Sequence, residues 1–392
     1  MRAIVNGTVY TPTRIIPEGV VLIAQGRIVE VGTPGQVTIP EGAERLDAGG
    51  QIVCPGLVDI HVHGGDGADC GDGTPEAVRT VARRHLRAGT TSFLPTTTSA
   101  PLPEVWQAFE AIKEVVAHPG PGEARALGIH MEGPFFSLEQ RGAHAPEVLR
   151  MPDAAERERL YSYAADLARL TIAPEREGAL EIIRTLSRRG VLIAGGHSDA
   201  LYEQVCRAME AGMRHITHLW SGMSMVRRIG PKRYAGMLEA ALVEDDLTGE
   251  IIADGYHLPT SLMKLAFRMK GPEKLCLVSD AMRASGLGPG EYTIGGVAAL
   301  VEEGSGVAIT ADRKAFAGSI STMLQCLQHA VQVVGFSLRE ALQMATLTPA
   351  RILGVAERVG QLAPGRWADI LILDRATLAL RAVFLGGEVI GG

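Results

Sequence analysis

Between residues 52 and 280 the chain alternates two hydrophobic patterns, and that alternation limits the fold more than any other feature. Short apolar runs recur at 52–63, 90–96, 126–134, 170–173, 191–197, 215–220, 249–254 and 275–280. Between them lie 75–88, 103–117, 154–167, 178–189, 198–211, 234–243 and 259–269, where apolar residues return every three or four positions. The first pattern is that of strands, the second that of helices buried along one face. Strands alternating with helices pair in parallel through right-handed crossovers. Eight such units predict a closed (β/α)8 barrel of the TIM type. An open doubly wound sheet would need a glycine-rich phosphate turn after its first strand, and Gly64-Gly65-Asp66-Gly67 does not match that fingerprint. Further helices are expected over 321–334 and 338–345, with a short turn from 348.

The two ends of the chain read differently. Residues 3–10, 19–24 and 27–31 are short β-branched runs broken by Gly, Pro and Thr, with Gln25-Gly26 as a hairpin turn. The texture returns at 369–373 and 382–384, with Gly386-Gly387 as a second turn. We therefore expect a small β-sandwich domain built from residues 1–54 and 365–392, set against a barrel of residues 55–364.

Composition narrows the function. A net charge of −6 gives no electrostatic case for nucleic acid. No run approaches the length of a membrane span, and residues 1–6 lack the apolar core of a signal peptide. Cys54, Cys70, Cys206, Cys276 and Cys326 are dispersed, which fits reduced thiols and a cytoplasmic setting.

The chemistry collects where the strands end. His61 and His63 close the first run, and side chains two apart on a strand point the same way, so both imidazoles can reach one ion. Glu132 ends the third run, His197 the fifth and Asp280 the eighth, while His218 lies near the end of the sixth. Barrel strands deliver such residues to one rim. Four imidazoles and two carboxylates there suit a divalent metal: zinc, iron, manganese or nickel. His130 faces the same side as Glu132 and either lines the site or supports a ligand. His215 falls on the opposite strand face from His218 and reads as packing or support. His85 and His329 lie within helices and read as structural, and Asp280 alone would also fit a helix cap.

These residues sit inside recognisable segments: Pro55-Gly56-Leu57-Val58-Asp59-Ile60-His61-Val62-His63, His130-Met131-Glu132-Gly133-Pro134-Phe135, Gly142-Ala143-His144, Gly196-His197-Ser198, Thr217-His218-Leu219-Trp220, Ala253-Asp254-Gly255-Tyr256-His257, Ser279-Asp280-Ala281-Met282 and Ala317-Gly318-Ser319. In these the chain resembles the amidohydrolase superfamily and, within it, the N-acetylglucosamine-6-phosphate deacetylases. The resemblance implies a metal held by Glu132, His197 and His218, a second position at His61 and His63 with Glu132 bridging, and Asp280 as acid/base. It implies one or two divalent ions, zinc foremost. It implies sugar contacts from Ala143, His144, His257, Phe316, Ala317 and Gly318, a phosphate held by backbone amides of Ser221 and Gly222, and a further phosphate contact from the basic loop at Arg227, Arg228 or Arg233, with Arg228 foremost. It implies a small phosphorylated amino sugar as partner and a homodimer as assembly. No lysine stands in Thr171-Ile172-Ala173-Pro174-Glu175, which argues against relatives that carboxylate a lysine there. A deacetylase of another N-acylated amine is the competing enzyme, and a non-catalytic barrel scaffold is the competitor from another class.

Overall fold

The computed structural model describes residues 1–11 and 13–391. Eight parallel strands form the barrel: Leu57–Val62, Thr90–Thr97, Ile129–Glu132, Leu167–Ile172, Leu192–Gly195, Met213–Ile216, Thr248–Ile252 and Leu275–Val278. They pair in sequence order, as successive right-handed crossovers require. The eighth strand meets the first through a bridge between Val62 and Ala281, with Asp280 N–H donating to the His61 carbonyl at 3.0 Å and His63 N–H to the Ala281 carbonyl at 2.9 Å. Closure thus happens at the level of the site residues themselves.

The helices begin where side chains can satisfy their free N–H groups. Thr74 caps Pro75–Arg87, with proline opening the first turn. Reciprocal capping boxes start Ala154–Ser162 (Asp153 with Glu156) and Leu338–Ala345 (Ser337 with Glu340). Their apolar faces pack on the outside of the strands in the largest core cluster, with Phe93, Phe109 and Trp106 among its bulkiest members.

The apolar run 52–63 is two strands, not one. Ile52–Pro55 belongs to the terminal sheet and Leu57–Val62 to the barrel. Gly56 joins them, and a Cβ there would lie 2.1 Å from Thr91 Oγ1, so only glycine lets the chain pass from one sheet to the other. The terminal sheet runs in the order Glu388–Ile390, Leu380–Leu385, Ile370–Leu373, Ile52–Pro55, Arg2–Tyr10, Ile15–Ala24, Arg27–Gly32, with Glu44–Asp47 beside Arg2–Tyr10. It curls until Arg27 bridges Trp367, and Ile4, Val21, Ile28, Ile370 and Phe384 pack between its faces. Both expected hairpin turns are present with left-handed residues: Gln25 and Gly26 at φ 51° and 75°, Gly386 and Gly387 at 58° and 80°.

One sheet lies outside the sequence expectations. Gly290–Ile294, Val297–Val301, Val307–Thr310 and Phe316–Ser319 form a four-stranded antiparallel sheet after the eighth barrel strand. It has its own small core of Met282, Ala284, Ile294, Ala299, Val301, Ala308 and Ala317, and it covers the barrel mouth. Among the described residues no helix is long and apolar enough to cross a membrane, and all five cysteines are free.

Candidate active site

The six residues expected at the rim meet there. Glu132 is the hub: its Oε1 lies 3.1 Å from His218 Nε2, 3.3 Å from His61 Nε2 and 3.5 Å from His197 Nε2, and its Oε2 lies 3.0 Å from His63 Nε2. Asp280 Oδ1 stands 3.3 Å from His63 Nε2 and 3.5 Å from His61 Nε2. Two sets of donors close enough to share an ion result, His61–His63–Glu132 and Glu132–His197–His218. His197 and Asp280 hold left-handed backbone, φ 47° and 50°, which is uncommon for side chains of their size and is found at sites that surrounding structure over-determines.

The ring nitrogens show what this cluster is built to hold. His197 Nδ1–H donates to the Gln140 carbonyl at 2.9 Å, and a carbonyl can only accept. His61 Nδ1–H donates to Glu250 Oε1 at 2.8 Å. In the neutral rings the Nε2 lone pairs are then left facing the centre, where His61 and His63 Nε2 approach to 3.2 Å. Ring Nε2 atoms and carboxylate oxygens converging on one point fit a divalent cation, which would replace the protons there, and imidazole with carboxylate is a borderline donor set. Burial pushes the His61 imidazole down, but Glu132, Asp280 and Glu250 outweigh it and raise its pKa to about 9. The same surroundings raise His63 against its burial. Burial pushes Asp280 up, yet His61 and His63 hold its carboxyl below the usual range, so it is ionised at neutral pH.

Beneath the mouth the barrel interior is polar. Glu250 and Arg169 are both fully buried, with Arg169 Nη1 2.7 Å from Glu250 Oε2 and Nη2 3.0 Å from Oε1. Arg169 Nη2 also donates to Thr217 Oγ1 at 2.7 Å. From there one chain of hydrogen bonds runs through Thr171 (3.0 Å) and His130 Nε2 (2.7 Å), then from His130 Nδ1 to Thr96 (3.1 Å) and on to the Leu94 carbonyl (3.0 Å). Its sense is fixed, because a guanidinium can only donate and a carbonyl can only accept. His130 therefore supports the site: its ring packs edge-on against His61 at 4.8 Å between centroids, and burial with nearby Arg169 keeps it neutral. His215 also supports, with Nε2 3.2 Å from Glu250 Oε2.

A cleft of about 310 Å3 opens from the cluster. Ala143, His144, Ser221, Gly222, His257, Phe316 and Gly318 line it, together with Trp220, Ile252 and Ile294. His144 Nδ1 accepts from the Ser99 N–H at 3.4 Å, so its Nε2–H points inward, 3.3 Å from His197 Nε2. His257 Nδ1–H donates to Asp254 Oδ2 at 2.7 Å, while Tyr256 and His257 N–H groups hold Asp254 Oδ1 at 2.9 Å. Burial raises the Asp254 carboxyl, but these bonds outweigh it and hold it low.

Two expected contacts are not brought to the cleft. Arg228 lies on an exposed hairpin of Arg227–Ile229 with Lys232–Tyr234, and its Nε–H donates to the Gly230 carbonyl at 2.8 Å. Its neighbour Arg227 is turned the other way, onto Asp199. Ala317 is fully buried within the core of the covering sheet and supports the wall from behind.

An amidohydrolase family model matches residues 52–390. The chain belongs to the amidohydrolase family. This amidohydrolase is 36% identical over 352 residues to an N-acetylgalactosamine-6-phosphate deacetylase of Escherichia coli O157:H7, covering 90% of each chain. It is 36% identical over 402 residues to the human N-acetylglucosamine-6-phosphate deacetylase, covering 97% of this chain and 95% of that one. Among solved structures, an alanine variant of the Mycobacterium smegmatis N-acetyl-D-glucosamine-6-phosphate deacetylase in complex with N-acetyl-D-glucosamine-6-phosphate superposes with a TM-score of 0.89 at 33% identity, over 99% of this chain and 98% of that one. In this amidohydrolase, Arg169 and Glu250 are the buried residues beneath the site that the sequence pattern did not reveal. A charge in the middle of an otherwise apolar strand was the available signal at both positions.

Proposed function

We propose that this protein hydrolyses the acetamide of N-acetylglucosamine 6-phosphate, releasing acetate and glucosamine 6-phosphate, with a divalent cation at the barrel mouth. The observation that carries the reading is the convergence of four imidazole Nε2 atoms on one buried carboxylate, with Asp280 beside them. Glu132, His197 and His218 would hold one ion, and His61 and His63 with Glu132 a second, zinc being the foremost candidate. Such an ion supplies Lewis acidity, lowering the pKa of a water and polarising a carbonyl.

The chain's own groups do the rest. Asp280 Oδ accepts a proton from the attacking water as its oxygen bonds to the acetamide carbon. It returns that proton to the amide nitrogen as the C–N bond breaks, so the amine leaves neutral. His144 offers its Nε2–H toward the same space, where it binds the acetamide or a sugar hydroxyl. His257, oriented by Asp254, faces the sugar from the opposite wall with Phe316 packed against its ring at 4.8 Å. Ser221 and Gly222 supply the backbone edge where the phosphate would rest. The reading includes a homodimer in the cytoplasm. In it Arg228, set apart from the cleft of its own chain, is available to another.

The bacterial relative named for N-acetylgalactosamine 6-phosphate supports a second substrate reading at the same site. These sugars differ only in the C4 hydroxyl. Steady-state acetate release from both phosphorylated sugars and from unphosphorylated N-acetylglucosamine, with and without added zinc, separates the readings. We expect metal-dependent release from N-acetylglucosamine 6-phosphate with the highest kcat/KM. A preference for the C4 epimer would reassign the substrate, and no release from any of the three would overturn the activity.

A further inference from the structure

Among the described residues three buried clusters have donor atoms close enough to hold an ion, and the third, His215–Glu250–Cys276, is not explained by the reaction. It is not a metal site, because the Arg169 guanidinium already occupies both Glu250 oxygens. What Glu250 does is visible in its full set of partners. Oε1 accepts His61 Nδ1–H at 2.8 Å, the His218 backbone N–H at 3.1 Å and Arg169 Nη2–H at 3.0 Å. Oε2 accepts Arg169 Nη1–H at 2.7 Å and His215 Nε2–H at 3.2 Å. Five donors on one carboxylate leave it no freedom to turn. One oxygen therefore orients the ring of His61, of the first set, and holds only the backbone of His218, of the second.

We infer that Glu250 is a positioning residue that fixes His61 with its Nε2 lone pair turned to the mouth, and so decides whether the His61–His63 position can hold a cation at all. This rests on the metal-dependent reading above. The two ligands of that position differ in their support. His61 Nδ1 has Glu250, whereas His63 Nδ1 is buried without a protein partner. With Glu250 gone, His61 loses the group that fixes its tautomer, and neither imidazole of the pair has a protein acceptor behind it. The Glu132–His197–His218 position keeps its own anchor, the His197 bond to the Gln140 carbonyl. Arg169 serves as counter-ion: it lets a carboxylate sit fully buried without adding net negative charge below the ligands.

Removing Glu250 alone would strand a buried Arg169, so the pair is changed together. Arg169→Leu with Glu250→Leu replaces the ion pair by apolar groups of similar size, an exchange that proteins often tolerate. Arg169→Met with Glu250→Gln removes both charges but keeps an amide oxygen able to accept the His61 Nδ1–H. Zinc titration of each metal-stripped protein by calorimetry, with bound zinc counted by elemental analysis, gives the result. We expect two zinc ions in the unaltered protein. In the double leucine variant the weaker-supported position should lose affinity about 10- to 100-fold, leaving one ion after gel filtration. The methionine–glutamine variant should regain the second. Two ions held with unchanged affinity in the folded leucine variant would overturn the inference, as would equal loss in both variants.

Should the leucine variant fail to fold, the zinc-loaded unaltered protein decides. Long-range proton–nitrogen spectra of its imidazoles should show His61 with a slowly exchanging Nδ1 proton and zinc on Nε2. A His61 that binds zinc through Nδ1 contradicts the inference. If the unaltered protein takes up no zinc, the metal-dependent function itself fails, which is a different outcome from normal uptake with an indifferent Glu250.

Discussion

At the scale of single residues, the polar cluster at the rim was legible and the groups behind it were not. His61, His63, Glu132, His197, His218 and Asp280 announced themselves because each is a polar group at or near the end of an apolar run, where the barrel geometry assigns it a common destination. Arg169 and Glu250 lie inside strands, and an inward-facing charge looks the same in sequence as an outward one until strand register is known. Arg228 could not be placed for the opposite reason: a loop residue has no periodicity to locate it, and here the loop folds into a hairpin that turns its guanidinium back to Gly230, away from the cleft of its own chain. The role of Asp280 is testable at this scale. Asp280→Asn keeps the shape of the side chain but cannot accept a proton, so turnover should fall about 100- to 10,000-fold. Bound zinc measured by elemental analysis should stay unchanged, because Asp280 belongs to neither donor set. Unchanged turnover would remove its assigned role.

At the scale of elements, the pattern of strands and helices was readable because parallel barrel strands and their amphipathic helices differ in period. The four-stranded sheet at 290–319 went unread although Gly295-Gly296 between two β-rich runs was a usable hairpin signal; the pair has φ 52° and 77°. Its alanine- and glycine-rich strands dilute the alternation that marks a half-buried strand. Contacts between elements also carry pH dependence. His85, on the first helix, donates Nε2–H to the Gly64 carbonyl at 3.0 Å, tying that helix to the turn after the first barrel strand. Burial keeps this imidazole neutral, with its pKa lowered from 6.5 to about 4. The unfolded chain therefore takes up a proton between pH 6.5 and 4 that the folded chain refuses. Stability from this group is fully present above pH 6.5 and is lost as the pH falls toward 4, by roughly 3 kcal/mol at most. His85→Gln should flatten that part of the curve in urea unfolding at stepped pH. An unchanged slope would place the proton uptake elsewhere.

At the scale of the whole molecule, closure of the barrel and assembly of the site are one event. Val62 bridges Ala281, and Asp59 reaches across the same seam to Ser279, so the first and eighth strands bring His61, His63 and Asp280 together only in the closed state. An ion held there binds the folded chain and not the unfolded one. Zinc at a hundredfold excess over its Kd should add about 2.7 kcal/mol to stability, seen as a rise in Tm that a chelator reverses. A Tm indifferent to zinc would mean that the mouth does not hold it.

The proposed chemistry depends most on where that ion sits. Anomalous diffraction at the zinc edge from zinc-loaded crystals locates it directly. We predict a peak bonded to Glu132, His197 Nε2 and His218 Nε2, with a second beside His61 and His63. A zinc found only outside the barrel mouth, or no zinc at saturating concentration, would contradict it.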